Sequence, residues 1–278
     1  MVVAALEKIQ QLNVDHTAIT GDLTNIGQEA EFQHVARLLE QYYPTGETLS
    51  VIPGNHDYYV TDCVENDYFK QYLGRYATTD VHLPPVDQSQ LQPNQSATSD
   101  LFPYIRIRNG IMLLGLNSGA VMPPFHASGV IGEHTWQQLL QPGSKQLIQE
   151  AMKTCHTKVL LVHHPPCEDG KHKNHDILDI HRLWEIVGAI QPHVILHGHC
   201  HTASVYQVAG LESNPIVIDG GSSSLFPTDA HPLAPFDSKA ALPTFHVYEF
   251  KDGRKGFSGI RYRWWKDAWI EEPLVLPQ

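Results

Sequence analysis

Basic residues are few. The 278-residue chain carries 19 Lys and Arg against 30 Asp and Glu, a formal charge of -11, and it has no block of Lys or Arg. Binding to a nucleic-acid backbone relies on a basic stripe, so that partner is not expected. Long apolar runs are lacking too. None approaches the ~20 residues of a membrane helix, so no membrane span is expected. The start, Met1 to Ile9, lacks the basic segment and cleavage site of a signal peptide, and polar residues interrupt it. It reads as an amphipathic helix with Val2, Leu6, Ile9 and Leu12 on one face. Cysteine is sparse. Cys63, Cys155, Cys167 and Cys200 show no close pairing and no C-x-x-C. A disulfide framework is therefore not expected, and the cytoplasm, a reducing compartment, is the expected location.

What the chain has in quantity is histidine, 18 in all. Many lie around two stretches, His163-His164-Pro165-Pro166 and Gly198-His199-Cys200-His201. Each follows a short apolar run, Lys158 to Val162 and His193 to Leu196, of the kind that forms buried parallel strands. The imidazoles thus stand where strands end, which is where open α/β sheets place their chemistry. Two earlier stretches share the pattern. Gly21-Asp22 follows Thr17 to Thr20, and Gly54-Asn55-His56-Asp57 follows Leu49 to Pro53.

Between the first pair of strands, Glu29 to Tyr43 has helical periodicity in Phe32, Val35, Leu38, Leu39 and Tyr42, and Pro44 ends it. Strand, helix and strand at this length form a right-handed crossover, which puts Asp22 and Asn55 at one sheet edge. Leu178 to Ile190 makes a second crossover that does the same for His163 and His199. A further helix is expected over Asp67 to Tyr76, and others over Thr135 to Leu140 and Ser144 to Cys155. Asp87 to Ser99 reads as a long polar loop. Asn109-Gly110 between apolar strands is a hairpin signal. Beyond His201, strands are expected at Ala203 to Val208, Pro215 to Ile218, Thr244 to Phe250 and Gly256 to Trp265, the last two joined around Lys251-Asp252-Gly253. No linker splits the chain, so residues 1–278 are expected to form one domain of two facing sheets with helices outside.

Asp, Asn and His donors with little thiolate suit Mn, Fe, Zn or Mg. Two such ions ~3.5–4 Å apart clamp a phosphoryl group and lower the pKa of a water between them. His56 follows Asn55 and cannot easily reach the same ion, but it can donate a proton to a leaving oxygen, with Asp57 orienting it. Cys200 is set aside as a ligand because neighbouring residues at a strand end point apart. His197 points away from its neighbours, into the core or behind the ligands. His126 and His175 are candidates for the cleft wall, and His16, His34, His82, His172 and His181 are expected on the surface or in loops. A structural zinc site is disfavoured by the Asn and by the lack of Cys clusters.

Taken together, Gly21-Asp22, Gly54-Asn55-His56-Asp57, His163-His164-Pro165-Pro166 and Gly198-His199-Cys200-His201 resemble the ordered motifs of the calcineurin-like metallophosphoesterases, class III cyclic-nucleotide phosphodiesterases among them. The resemblance runs from about Asp15 to Thr202. It implies a four-layer α/β/β/α sandwich with two mixed sheets and a binuclear divalent metal centre that hydrolyses phosphoesters. By that likeness Asp22 bridges the metals, Asn55, His163 and His199 complete one site, and His201 serves the other. His163 is preferred over His164 by the family pattern. His56 takes the role of the histidine that contacts substrate. The substrate is then a small-molecule phosphoester, such as a cyclic nucleotide, a glycerophosphodiester or a nucleotide-lipid pyrophosphate. The family's first motif, a strand ending in Asp-x-His, is not seen in these residues. Its absence implies unpaired strand edges, one metal held well and the second poorly, and weak activity. A binding or regulatory domain on the same scaffold is the alternative reading.

Overall fold

The computed structural model describes residues 1–87, 100–166, 175–224, 242–251 and 256–277. The polar loop expected over 87–99 lies outside them apart from Asp87, as do Cys167, His172 and most of the turn expected around Asp252-Gly253.

The N-terminal half begins with α1 (Val2–Leu12), β1 (Thr17–Ile19), α2 (Glu29–Tyr42) and β2 (Leu49–Val51). The first crossover is as expected, with β1 parallel to β2 and Thr17 opposite Leu49. Gln28 and Glu31 form a capping box at the start of α2. The Glu31 carboxylate also accepts from the backbone of Asn25 and Ile26, fixing the loop after Asp22. Two short helices follow, α3 (Thr61–Glu65) and α4 (Tyr68–Leu73). The helix expected over Asp67 to Tyr76 ends at Leu73 and tightens into a 3-10 turn at Gly74–Tyr76.

Next come β3 (Tyr104–Arg108), β4 (Ile111–Gly115), α5 (Glu133–Leu140), α6 (Pro142–Met152), β5 (Thr157–Leu161), α7 (Ile180–Ile190), β6 (Val194–His197), β7 (Ser204–Gln207) and β8 (Ile216–Asp219). Arg108 pairs with Ile111 across Asn109-Gly110, both with positive φ, which is the tight hairpin that dipeptide favours. Helix α6 opens two residues earlier than expected because Pro142 takes its first turn, where a missing N–H costs nothing. The six strands form one mixed sheet in the order β3-β4-β5-β6-β8-β7.

Alternation along these strands feeds two cores. Val159 and Leu161 face one with α2, β2 and α4, while Leu160 and Val162 face the other with α5, α6 and α7. The result is the α/β sandwich that was expected, with one correction. The second sheet is in two pieces, β1-β2 and an antiparallel β9 (Thr244–Phe250), β10 (Phe257–Trp265) and β11 (Ala268–Pro273). Strand β11 was not anticipated. Among the described residues β1 pairs only with β2, and β9 only with β10. A cavity of about 900 Å³ lies beside both, running from Leu6 and Ile9 of α1 past Thr17 to Thr20 and Phe245 to the His163–His199 cluster.

His16, expected on the surface or in a loop, lies half-buried in the loop before β1; its Nε2 is 2.8 Å from Ser50 Oγ, and burial together with Arg106 and Arg108 lowers its pKa to about 4. His246 is similar. Arg261 donates to its Nε2, and burial with Arg261 and Arg263 lowers its pKa to about 3. Both folded pKa values lie below 6.5, so the unfolded chain takes up these protons first. The stability they permit is whole above pH 6.5 and is lost as the pH falls toward 4. Between pH 6.5 and 5 the loss should be about 2 kcal/mol for each. Urea denaturation at pH 7 and pH 5 measures it, and an equal midpoint at both would refute it.

Candidate metal and phosphoester site

The four strand-end segments meet at one place. Asp22, with φ of 55°, and Gly21, with φ of 101°, turn sharply after β1. A Cβ on Gly21 would stand 2.5 Å from His163 Nδ1, and one on Gly54 would stand 2.2 Å from Asp22 Oδ1. Both positions therefore need glycine for close approach rather than for turn propensity alone. His199 and His201 also have positive φ, 70° and 57°. Non-glycine residues rarely adopt this conformation, and they hold it mainly where surroundings impose it, as at functional sites.

The donor atoms converge. His163 Nδ1 is 2.7 Å from Thr20 O, so the ring donates its proton to that carbonyl. Its Nε2 is left as a lone pair, yet it lies 3.1 Å from Asn55 Oδ1 and 3.4 Å from Asp22 Oδ2. His199 Nδ1 is 3.0 Å from the same Asn55 oxygen, and its buried Nε2 has no partner. With His163 neutral, its Nε2, Asn55 Oδ1 and Asp22 Oδ2 face one another as three acceptors. Only a proton or a cation relieves that arrangement. Imidazole bound to a metal typically donates its other N–H to a backbone carbonyl, as His163 does. Asp22, Asn55 and His163 thus bring two oxygens and a nitrogen together, donors that suit a divalent ion, with His199 beside them through Asn55.

Electrostatics agree with the geometry. Burial pushes the Asp22 carboxyl up, but His163 outweighs it and brings the pKa to about 2. Burial lowers His163 while Asp22 and the Thr20 carbonyl raise it further, for a net rise. Burial and His163 lower His199 to about 2. The site therefore holds an anion, with His199 in its neutral, ligating form.

His164 is buried with both nitrogens engaged. Nε2 donates to Ala127 O at 3.0 Å, and Nδ1 lies 2.8 Å from Ser118 Oγ. It has no lone pair to offer, which favours His163 as the ligand. His201 lines the cavity with Asp22, is exposed, and its charge bears on His199. His175 does approach, its ring centroid 5.4 Å from that of His199. His126 is exposed.

His56 is half-buried on the cavity wall, and its backbone N–H donates to Asp22 Oδ1 at 3.0 Å. Its ring is fixed by Asn25 O, 2.6 Å from Nδ1, and by Tyr59 Oη, 3.1 Å from Nε2. Asp57, expected to orient that ring, does something else. It is fully buried and accepts from the backbone of Gly54 and from Thr24 N and Oγ1, at 2.8 to 2.9 Å. It clamps the loop after β2 to the loop after β1, and so sets Asn55 against Asp22. Burial, then the Asp22 charge, raises its pKa to about 6. Tyr59 was not anticipated. Asn55 Nδ2 donates to its hydroxyl at 3.0 Å, linking the Asn55 side chain to His56. A tyrosine in a short 3-10 segment carries no sequence signal for that role.

The family model for calcineurin-like phosphoesterases matches residues 2–203, a span that contains every residue of this cluster. The chain belongs to that family. Calcineurin-like phosphoesterases are, as a family, metal-dependent hydrolases of phosphoesters. No curated protein matches it. Among solved structures it is similar to a candidate 5'-nucleotidase from Staphylococcus aureus in complex with alpha-ketoglutarate. Identity there is 14%, over 99% of this chain and 48% of that one, with a TM-score of 0.45. The chain thus spans about half the length of that protein. It is similar also to Vacuolar Protein Sorting 29 from Cryptosporidium parvum, at 10% identity over 96% and 86% of the two chains with a TM-score of 0.39. Vps29 from Entamoeba histolytica complexed with zinc matches at 11% identity, over 86% and 88%, with a TM-score of 0.32. Among the described residues no helix is long and apolar enough to cross a membrane.

Proposed function

We propose that this chain hydrolyses small phosphoesters with one well-formed divalent ion pocket made by Asp22, Asn55, His163 and His199. The observation that supports this is the convergence of Asn55 Oδ1 and Asp22 Oδ2 on His163 Nε2, at 3.1 and 3.4 Å. A divalent ion there, when bound, polarises a phosphoryl oxygen and acidifies water. The protein does the rest. Thr20 O fixes the ring of His163, and Asp57 holds the two loops in register. With Nδ1 donating to the Asn25 carbonyl, His56 can act as general acid through Nε2 once that nitrogen too is protonated, and the Tyr59 hydroxyl is its partner there in the free protein. His201, on the cavity wall, would serve a second, weaker ion.

The test is hydrolysis of bis-p-nitrophenyl phosphate with added Mn, beside cyclic nucleotides, with metal content measured after dialysis. We expect turnover and one tightly held equivalent of Mn, and two tight equivalents of Mn would sink the single-pocket reading. His56→Ala should leave metal content unchanged and slow turnover by about 10²–10⁴-fold. Unchanged turnover would remove His56 from the mechanism. The exposed position of His201 favours a second reading, a binding or regulatory domain on the same scaffold. Metal bound with no turnover on any phosphoester would select it.

A further inference from the structure

A second group of metal-ligating side chains lies outside this cluster. Strands β6 and β8 are parallel neighbours, and their last residues, His197 and Asp219, pair in register. Cys200 follows three residues after His197. Its thiol hydrogen-bonds the Asp219 carboxylate. One ligand atom from each of His197, Cys200 and Asp219 lies within 4.8 Å of the other two. His197 Nδ1 and Asp219 Oδ2 are 3.9 Å apart, with side-chain exposures of only 2% and 1%.

Two of these groups are unsatisfied where water does not reach. His197 Nδ1 lies 2.9 Å from Gly198 O and faces Asp219, while Nε2 has no partner, so ligation through Nδ1 needs only a shift of the ring proton to Nε2. Asp219 Oδ1 accepts from Gly221 N at 2.7 Å, but Oδ2 has no hydrogen-bond partner. A buried acceptor without a donor is costly and calls for an explanation.

We propose that His197, Cys200 and Asp219 form a zinc site separate from the phosphoester site. One thiolate, one imidazole and one carboxylate make a softer donor set than the oxygens and imidazoles around Asp22, and it suits Zn or Co rather than Mg or Mn. Three protein ligands leave the fourth tetrahedral position to water. Ligand atoms on such an ion stand about 3.5 Å apart, so closure needs a small rotation of the exposed Cys200 side chain and release of its thiol proton to solvent. The ion would tie the loop between β6 and β7 to the end of β8. That loop carries His199 and His201 in their left-handed conformations, so an ion here would stiffen the positions from which both approach the other site.

Cobalt titration of the full chain tests this, because only a thiolate ligand gives a sulfur-to-cobalt charge-transfer band in the near ultraviolet. The band should appear with wild type, vanish in Cys200→Ser, and form only at 10–100-fold higher cobalt in Asp219→Asn. It should persist in Asp22→Asn, in which the phosphoester cluster is damaged, so failure of this site and failure of the hydrolase reading are told apart. Alkylation gives a second measurement that needs no variant, since zinc should shield Cys200 from iodoacetamide. Absence of the band in wild type, or its survival in Cys200→Ser, would overturn the proposal.

Discussion

His163→Ala will lower hydrolysis of bis-p-nitrophenyl phosphate by about three orders of magnitude, a barrier increase of roughly 4 kcal/mol. The reason lies in one ring. Its Nε2 faces both Asp22 Oδ2 and Asn55 Oδ1, and its Nδ1 is tied to the end of β1 through Thr20 O. Removing it takes away a ligand and leaves a carboxylate and an amide oxygen facing a void. Bound Mn after dialysis should fall well below one equivalent. His164→Ala is the control, because that ring spends both nitrogens on Ser118 and Ala127. It should cost stability and keep the metal. Equal metal loss in the two variants would mean that the ligand has been chosen wrongly.

The second large effect concerns folding. Arg106 on β3 is fully buried. Its guanidinium donates to the carbonyl of Leu49, to Gly46 O at 3.0 Å, and more weakly to Glu47 O, Tyr76 O and Ser50 Oγ. Glu47 at 3.9 Å is its only ion-pair partner among the described residues. One side chain thus joins the six-stranded sheet to β2 and to the turn after α4. Arg106→Met keeps much of the volume but strands several buried carbonyls. We expect a loss of about 3–5 kcal/mol, as when one partner of a buried charged network is removed, and a melting temperature lower by roughly 10 °C. Because β2 leads directly into Gly54 and Asn55, metal affinity should fall as well. A shift below about 1 kcal/mol would show that water replaces the guanidinium at little cost.

Much of this protein is present in its sequence. Apolar runs of four or five residues that end in Gly, Asp, Asn or His give the strands and the edge where they stop. The spacing of Phe32, Val35 and Leu39 gives α2, and Asn109-Gly110 gives the hairpin, because these are local matters of periodicity and turn geometry. Residue type at strand ends offers Asp22, Asn55, His163 and His199 as candidates, and the preference for His163 over His164 comes from the family resemblance. Tertiary structure decided the rest. Alternation along β3 places Tyr104, Arg106 and Arg108 on one face, but only the carbonyls of Gly46, Glu47 and Leu49 arriving from elsewhere make that face an interior for Arg106. Asp57 adjoins His56 in the chain yet binds Thr24, because the preference of a buried carboxylate is set by which donors surround it. Cys200 stands between two histidines and turns to Asp219, whose position depends on the pairing of β6 with β8. Periodicity tells which way a side chain points. Which atoms it meets depends on segments tens to hundreds of residues away, and packing alone brings those together.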